Sequence, residues 1–267
     1  MDELHELVDR LNNQKRLRLW SVIVTFFGDV IVPRGGTVSA KTVQQLMEHI
    51  GFEAGAVRTA FSRLVSDGWV VREKVGRSSH FQLSERGAST FAKATKKIYA
   101  PLPETIDEPE SWTIVFSKDD FSNPIVFPTG QSVSTPGLAQ DDLLIIEGSF
   151  KQIPAWFRAQ ELSPRYGEAF EQLMRDFKPV LNQPLSELDA LAVRCLLIHE
   201  WRRILLHLPD VHHFFQPKDW PETACHEFVS DLYHSLLGAS ESWIDQNGEG
   251  KNGQLPAANI DLSKRFF

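Results

Sequence analysis

Apolar residues recur at three- and four-residue spacing over most of the chain, and the breaks in that rhythm predict its elements. Leu4, Leu7, Val8 and Leu11 make one stripe, so the N-terminus reads as a short amphipathic helix that needs a partner, a second copy of the chain being one candidate. From Arg16 to Val32 a long apolar face (Leu17, Leu19, Trp20, Ile23, Val24, Phe27) predicts a buried helix ending near Gly28, with a PRGG turn after it. Ser39 is placed to cap a second helix that turns Val43, Leu46, Met47 and Ile50 inward and stops at Gly51. A third helix is expected from about Glu53 to Ser66, with Ala56, Val57, Ala60, Phe61, Leu64 and Val65 inward and Gly68 at its end.

WVVREKV and HFQLS then alternate as short strands around Gly76-Arg77-Ser78-Ser79, and Ser84 opens a helix from about Glu85 to Lys97. Three helices, a hairpin and a helix is the order of a winged helix-turn-helix domain, assigned to 1–100. PLPETIDEPE (101–110) reads as a linker. WTIVF, PIVF and LLIIE are strand-like and mark a small β-containing domain over 111–160. Helical spacing returns over 161–246, and the polar, Gly-rich 247–267 reads as a flexible tail in which Phe266 and Phe267 can dock. The expected fold is α+β and mostly helical.

Composition adds one asymmetry. The net charge is −7, yet residues 1–100 carry 15 Lys and Arg against 10 Asp and Glu, while the remainder carries 13 against 25. A basic head on an acidic body suits polyanion binding by one part and sensing or assembly by the other. Cys195 and Cys225 sit in apolar segments without any CxxC spacing, as buried free thiols in a reducing cytoplasm do. MDELHELVDRLNNQK has no apolar leader core, and SVIVTFFGDVIV is shorter than the ~20 residues of a membrane span. A cytoplasmic location and no membrane partner are expected.

On the predicted third helix the apolar set leaves Arg58, Thr59, Ser62 and Arg63 on the open face, with Arg58 and Thr59 placed to read bases in a major groove. Arg77, Ser78, Ser79 and His80 at the hairpin suit phosphate contacts, as do Lys41 and Thr42 near the start of the second helix. A winged-helix domain that binds protein rather than DNA is the alternative. No enzyme is expected: HEWRR at 199–203 lacks the second His of a helical zinc site, and GxGxxG, Walker-type and GxSxG loops are missing. Neither metal nor cofactor is called for; His212-His213 with His207 or His226 lack a matched carboxylate or cysteine pattern.

The pieces TFFGD, PRGG, AVRTAFSRLVSDGWV and GRSSHFQLSERG, followed at a distance by ALAVRCLLIHEWRRILLHLPD, PKDWP and DLYHSLL, resemble the PaaX family of bacterial transcriptional repressors of phenylacetate and related aromatic catabolism. The resemblance covers roughly 17–100 and 160–245. It implies a dimeric repressor with a ferredoxin-like, Cas2-like middle domain and a helical C-terminal domain, and the twofold symmetry of a homodimer predicts a pseudo-palindromic double-stranded operator. It also implies release by an acyl-CoA effector such as phenylacetyl-CoA. Where family members show an arginine-rich helix and a Gly-Phe-Gly turn, this chain has FSKDDFSNPIVFPTGQSVSTPG. Within HEWRR, His199, Arg202 and Arg203 can meet the phosphates of such an effector, or form a structural ion-pair node or a dimer contact.

Overall fold

The computed structural model describes residues 3–14, 17–102, 110–119, 124–129, 142–181, 183–208, 212–217 and 219–267, and within 159–161 and 212–213 the backbone only. Most of the expected linker, at 103–109, and much of the segment that departs from the family pattern lie outside these residues, as do the side chains of His212 and His213.

The fold is α+β with small antiparallel sheets. Its compact units do not follow the expected division. Residues 1–102, 167–207 and 221–267 form one unit, and 103–166 with 208–220 form the other. The reason lies in a single helix, α8 (Glu187–Leu205), whose residues 190–201 are all buried, Arg194 and Glu200 among them. A helix buried on every side must be surrounded by other elements. Here the N-terminal helices supply much of that cover, so head and C-terminal helices share a core.

Helix α1 (Glu3–Asn13) lays Leu4, Leu7 and Leu11, fully buried, against α8 and the 3₁₀ turn Lys178–Val180. Arg10 donates to the Asp176 carbonyl at 3.0 Å from the same helix. The stripe that needs a partner, with a second copy as one candidate, is thus covered by the chain itself.

Helix α2 (Leu19–Phe26) does not end at Gly28. It runs into a π-helical turn, Phe27–Ile31, in which the Val32 amide donates to the Phe27 carbonyl, and then into a 3₁₀ turn to Arg34. Gly28 marks a close approach rather than a stop: a Cβ there would sit 2.8 Å from the Phe91 ring. The extra residue of the π turn brings Asp29 into the core, where it is 1% exposed.

Ser39 caps α3 (Ala40–His49) by accepting from the Thr42 amide at 3.1 Å, and Gly51 ends it at φ +104°, which a residue with a Cβ rarely adopts. Helix α4 (Ala54–Ser66) buries Val57, Ala60, Phe61 and Leu64 but leaves Ala56 and Val65 exposed, a narrower inner face than the spacing predicted. Strands β2 (Val70–Val75) and β3 (Ser78–Leu83) form the hairpin, and β1 (Thr37–Ser39) pairs with β3 in the order β1-β3-β2, all antiparallel. Phe61 stacks on Phe81 with centroids 3.8 Å apart, which fastens the hairpin to α4. Ser84 accepts from the Gly87 amide and caps α5 (Glu85–Ile98).

In the second unit β4 (Trp112–Ser117) lies between β5 (Ile125–Pro128) and β6 (Leu143–Gly148), antiparallel to both. Trp112 meets Phe150, Phe214 and Phe215 at 5.3 Å between ring centroids, near the short helices α6 (Ala155–Glu161) and α9 (His212–Phe215).

Helices α7 (Pro164–Phe177) and α10 (Glu222–Asn247) follow the expected rhythm, with Phe170, Leu173 and Phe177 buried from α7 and Val229, Leu232 and Tyr233 from α10. A two-residue hairpin, β7 (Glu249–Gly250) with β8 (Gly253–Gln254), opens the tail. The tail is folded onto the first unit, contrary to the flexible reading. The Asn259 amide donates to the Pro33 carbonyl at 2.7 Å and the Phe266 amide to Tyr99 at 3.1 Å, while Leu255, Leu262, Arg265 and Phe266 are buried. Few apolar residues suffice to anchor a segment when its backbone and one arginine find buried partners. Phe267 stays 77% exposed.

Candidate nucleic-acid interface

Because α4 spends its apolar positions on Phe81 and the core, Arg58, Thr59, Ser62 and Arg63 are left together on its exposed face. Thr59 and Ser62 hydroxyls donate back to the Gly55 and Arg58 carbonyls, so both are held along the helix, while Arg63 lies 3.5 Å from Asp67. The Arg58 guanidinium makes no hydrogen bond or ion pair among the described residues. Its guanidinium is open to an outside partner.

Arg77 sits at the exposed hairpin tip with Gly76. Ser78 and Ser79 do not; they begin β3, and the Ser79 hydroxyl accepts from Arg72 at 2.7 and 3.1 Å. His80 departs furthest from expectation. It stands opposite Ser39 in the sheet and is 5% exposed, which leaves its ring little surface for a phosphate. The alternation of a strand puts Ser79 and His80 on opposite faces, which the hairpin boundary drawn from GRSS obscured.

Lys41 and Thr42 are also claimed within the chain. Thr42 is buried, its hydroxyl beside Ser39 and accepting from the Glu249 amide at 2.9 Å; the exposed Lys41 ammonium pairs with the Glu249 carboxylate at 2.7 Å. From the same tail hairpin, Lys251 pairs with Glu73 of the wing strand β2 at 2.6 Å. Nothing in the sequence near residue 41 announces a partner more than 200 positions away.

HEWRR lies on α8 and faces α2 and α5. His199 is 2% exposed with Nδ1 3.3 Å from the Thr25 hydroxyl, Trp201 donates to the Ile98 carbonyl at 2.9 Å, and Arg203 pairs with the buried Glu200 at 2.9 Å. Arg202 donates to the Thr25 and Ser21 hydroxyls at 2.8 and 2.6 Å. Of the three residues named as effector or interface candidates, His199 is enclosed by protein, whereas Arg202 and Arg203 border a cavity.

A second arginine cluster went unmarked in the sequence. Asp29 is flanked by Arg194 at 2.7 Å and by Arg265, and accepts from Tyr99 at 2.6 Å and Tyr233 at 3.1 Å. Arg194 continues to Glu241 at 2.6 Å, and Arg34 of the PRGG turn joins Glu241 at 2.6 Å and Asp245 at 2.7 Å. Burial alone would raise the Asp29 carboxyl, but Arg194, Arg265 and the Tyr99 hydroxyl together hold it below the ordinary carboxylate range. Burial pushes the Tyr233 hydroxyl and both cysteine thiols up, so Cys195 and Cys225 remain protonated free thiols in the core. The one available signal was Asp29 itself, a carboxylate inside an otherwise apolar run.

Among the described residues no group of three or more His, Cys, Asp or Glu is placed to hold a metal, and no helix is long and apolar enough to cross a membrane.

Comparison with known proteins bears on the same segments. The family description "PaaX-like protein" matches residues 18–87, and "PaaX-like protein C-terminal domain" matches 157–246. The Transcriptional repressor PaaX of Escherichia coli (strain K12) is 25% identical, the alignment covering 100% of this chain and 95% of that protein. A solved structure of an uncharacterized protein from Mycobacterium tuberculosis superposes with a TM-score of 0.48 at 16% identity, over 77% of this chain and 91% of the other.

Proposed function

The chain belongs to the PaaX family, and from that premise we propose that it is a DNA-binding transcriptional repressor whose segment from α2 through α5 acts as a winged helix-turn-helix. Helix α4 enters the major groove, with Arg58 and Thr59 reading base edges, and Arg77 at the tip of the wing meets backbone phosphates. The observation that carries this reading is the solvent-open, uncommitted guanidinium of Arg58 on the exposed face of α4, beside a hairpin whose tip presents a second arginine. The printed name of the relative, a transcriptional repressor, supports it.

The family resemblance extends the proposal to a cytoplasmic homodimer on a pseudo-palindromic operator of an aromatic-compound catabolic operon such as that for phenylacetate. A small acyl compound, such as phenylacetyl-CoA, relieves repression. It can do so only by binding the form that does not fit the operator better than the form that does. The ferredoxin-like reading of the middle domain belongs to the same resemblance.

The test is recovery of sheared source DNA on the purified full chain at physiological salt, with and without phenylacetyl-CoA. Enrichment of a few promoter fragments that the thioester releases is the expected result. Enrichment without release discards that effector and keeps the repressor. With nothing enriched by a folded chain, the reading fails and a winged-helix protein-interaction module takes its place.

A further inference from the structure

Three helices of the first unit, α2, α5 and α8, do not close completely on one another. Between them lies a cavity of about 320 Å³. Val24 from α2, Gly28 from the π turn that follows it, Phe91, Ala94 and Ile98 from α5, and Ile198 from α8 give it an apolar lining. That is far more room than a single water needs, and it lies at the lower end of the ~300–1,000 Å³ typical of small-molecule sites.

Asp29 and Arg203 also line this wall, but each is matched by an opposite charge within the protein, whereas Arg202 is not. Arg202 is half-buried, and its Nε and Nη2 donate to the Thr25 hydroxyl, the Ser21 hydroxyl and, at 3.3 Å, the Ser21 carbonyl. Every one of these partners is neutral. Among the described residues no carboxylate pairs with Arg202, whereas Arg194, Arg265, Arg34 and Arg203 each have one. Loss of hydration lowers its pKa, the mark of a cation that its surroundings do not compensate. A guanidinium on an apolar wall without a counter-charge is costly for the free protein, and an anionic or strongly polar oxygen beside it offsets that cost.

We propose that this cavity is a binding site for the acyl part of a small organic acid, its apolar body between α2 and α5 and its carboxyl-derived oxygen on Arg202. The volume admits a body of about one ring with a short chain. A free carboxylate and a thioester both carry that chemistry, the carrier of the thioester then lying outside the cavity.

The position of the cavity gives the ligand a route to DNA. Trp69 lines it too, and Trp69 is the joint between α4 and the wing: its amide donates to the Leu64 carbonyl of α4, and its carbonyl accepts from Ser84 at the cap of α5. A ligand that shifts α5 or Trp69 therefore moves the reading helix and the wing with respect to each other. This regulatory consequence rests on the DNA-binding reading; the site itself does not.

Thermal unfolding of the full chain, with phenylacetate, octanoate, phenylacetyl-CoA or coenzyme A alone, tests the site. A melting rise of a few degrees with an acid or the thioester, but not with coenzyme A alone, is expected. Which of the two acts identifies the source. The rise should vanish in Ala94→Phe, which fills the cavity, and the affinity should fall about tenfold or more in Arg202→Gln. Hydrogen exchange on the unaltered chain needs no variant: protection should appear in α2, α5 and α8. The site is overturned by no response to any probe, by an equal response to coenzyme A alone, by a response that survives in a folded Ala94→Phe, or by protection confined to other elements. Binding to promoter fragments without ligand, measured in parallel, keeps a failure of the site apart from a failure of the DNA-binding reading.

Discussion

Two sets of arginines in the same compact unit have opposite surroundings. Around Asp29, Arg194 is fully buried and Arg265 nearly so, each locked to carboxylate and phenol oxygens. On α4 and at the hairpin tip, Arg58 and Arg77 are exposed. The difference teaches that an arginine count in a sequence is ambiguous by construction. The charge is the same, and only the partner decides whether it holds the fold together or faces a ligand. Arg202 falls between the two, enclosed like the first set yet without a carboxylate like the second.

The largest expected effect breaks the buried set. Asp29→Ala leaves the enclosed Arg265 without a carboxylate and Arg194 with Glu241 alone, and removing one partner of a buried ion pair costs about 3–5 kcal/mol. Chemical denaturation should show that loss, while Arg58→Ala should change stability by no more than about 0.5 kcal/mol. Acid sharpens the contrast. Because the folded-state pKa of Asp29 is depressed, its contribution is present above the ordinary carboxylate pKa and disappears as pH falls through the folded value. Unfolding free energy should therefore decline below about pH 4. That decline should be shallower in Asp29→Asn, with a remainder from Asp189, which Ser186 and His49 also hold low. A decline of equal steepness in the variant would remove Asp29 from the account.

The comparison also measures what was legible. Elements α3 and α4, the hairpin and α5 were readable because each carries its own signal: Ser39 and Ser84 as caps, Gly51 as a stop, the apolar set of α4. So was the open face holding Arg58 and Thr59, since a helix that buries Val57, Ala60, Phe61 and Leu64 has no choice about where its arginines go. What escaped depended on residues distant in sequence. Arg265 meets Asp29 across 236 positions and Glu249 meets Lys41 across 208, distances over which local spacing carries no information. The burial of His80 was missed because its register opposite Ser39 is fixed by β1, a strand of three residues too short to stand out in the pattern. Gly28 looks like a helix stop in the sequence, but its missing side chain instead makes room for Phe91.

The exposed set should respond in binding rather than in stability. Arg58→Ala is expected to weaken binding to the operator by about 1–3 kcal/mol while leaving non-specific DNA nearly unaffected, because a bidentate base contact discriminates and a phosphate contact does not. Titrations of the two DNAs at one salt concentration decide it. Equal losses on both would make Arg58 a phosphate contact. Arg77→Ala should instead weaken both alike and reduce the log–log salt slope by about 0.9, the share of one phosphate.

The smallest effect concerns Lys41, whose position alone would place it with Arg58 and whose pairing places it with the buried set. It is exposed, yet its ammonium already has the Glu249 carboxylate at 2.7 Å. A pair this open to solvent contributes less than about 1 kcal/mol, so phosphate can compete for the lysine, but only by displacing the tail's own acid. Glu249→Gln keeps the shape of the side chain and removes the competitor. DNA affinity should rise slightly and the salt slope steepen by at most about 0.9. The decisive form is a double-mutant cycle: Lys41→Ala should change binding little in the unaltered chain and more in the Glu249→Gln background. If Lys41→Ala weakens binding equally in both, DNA already wins the lysine from Glu249, and the pairing seen without DNA does not limit the interface.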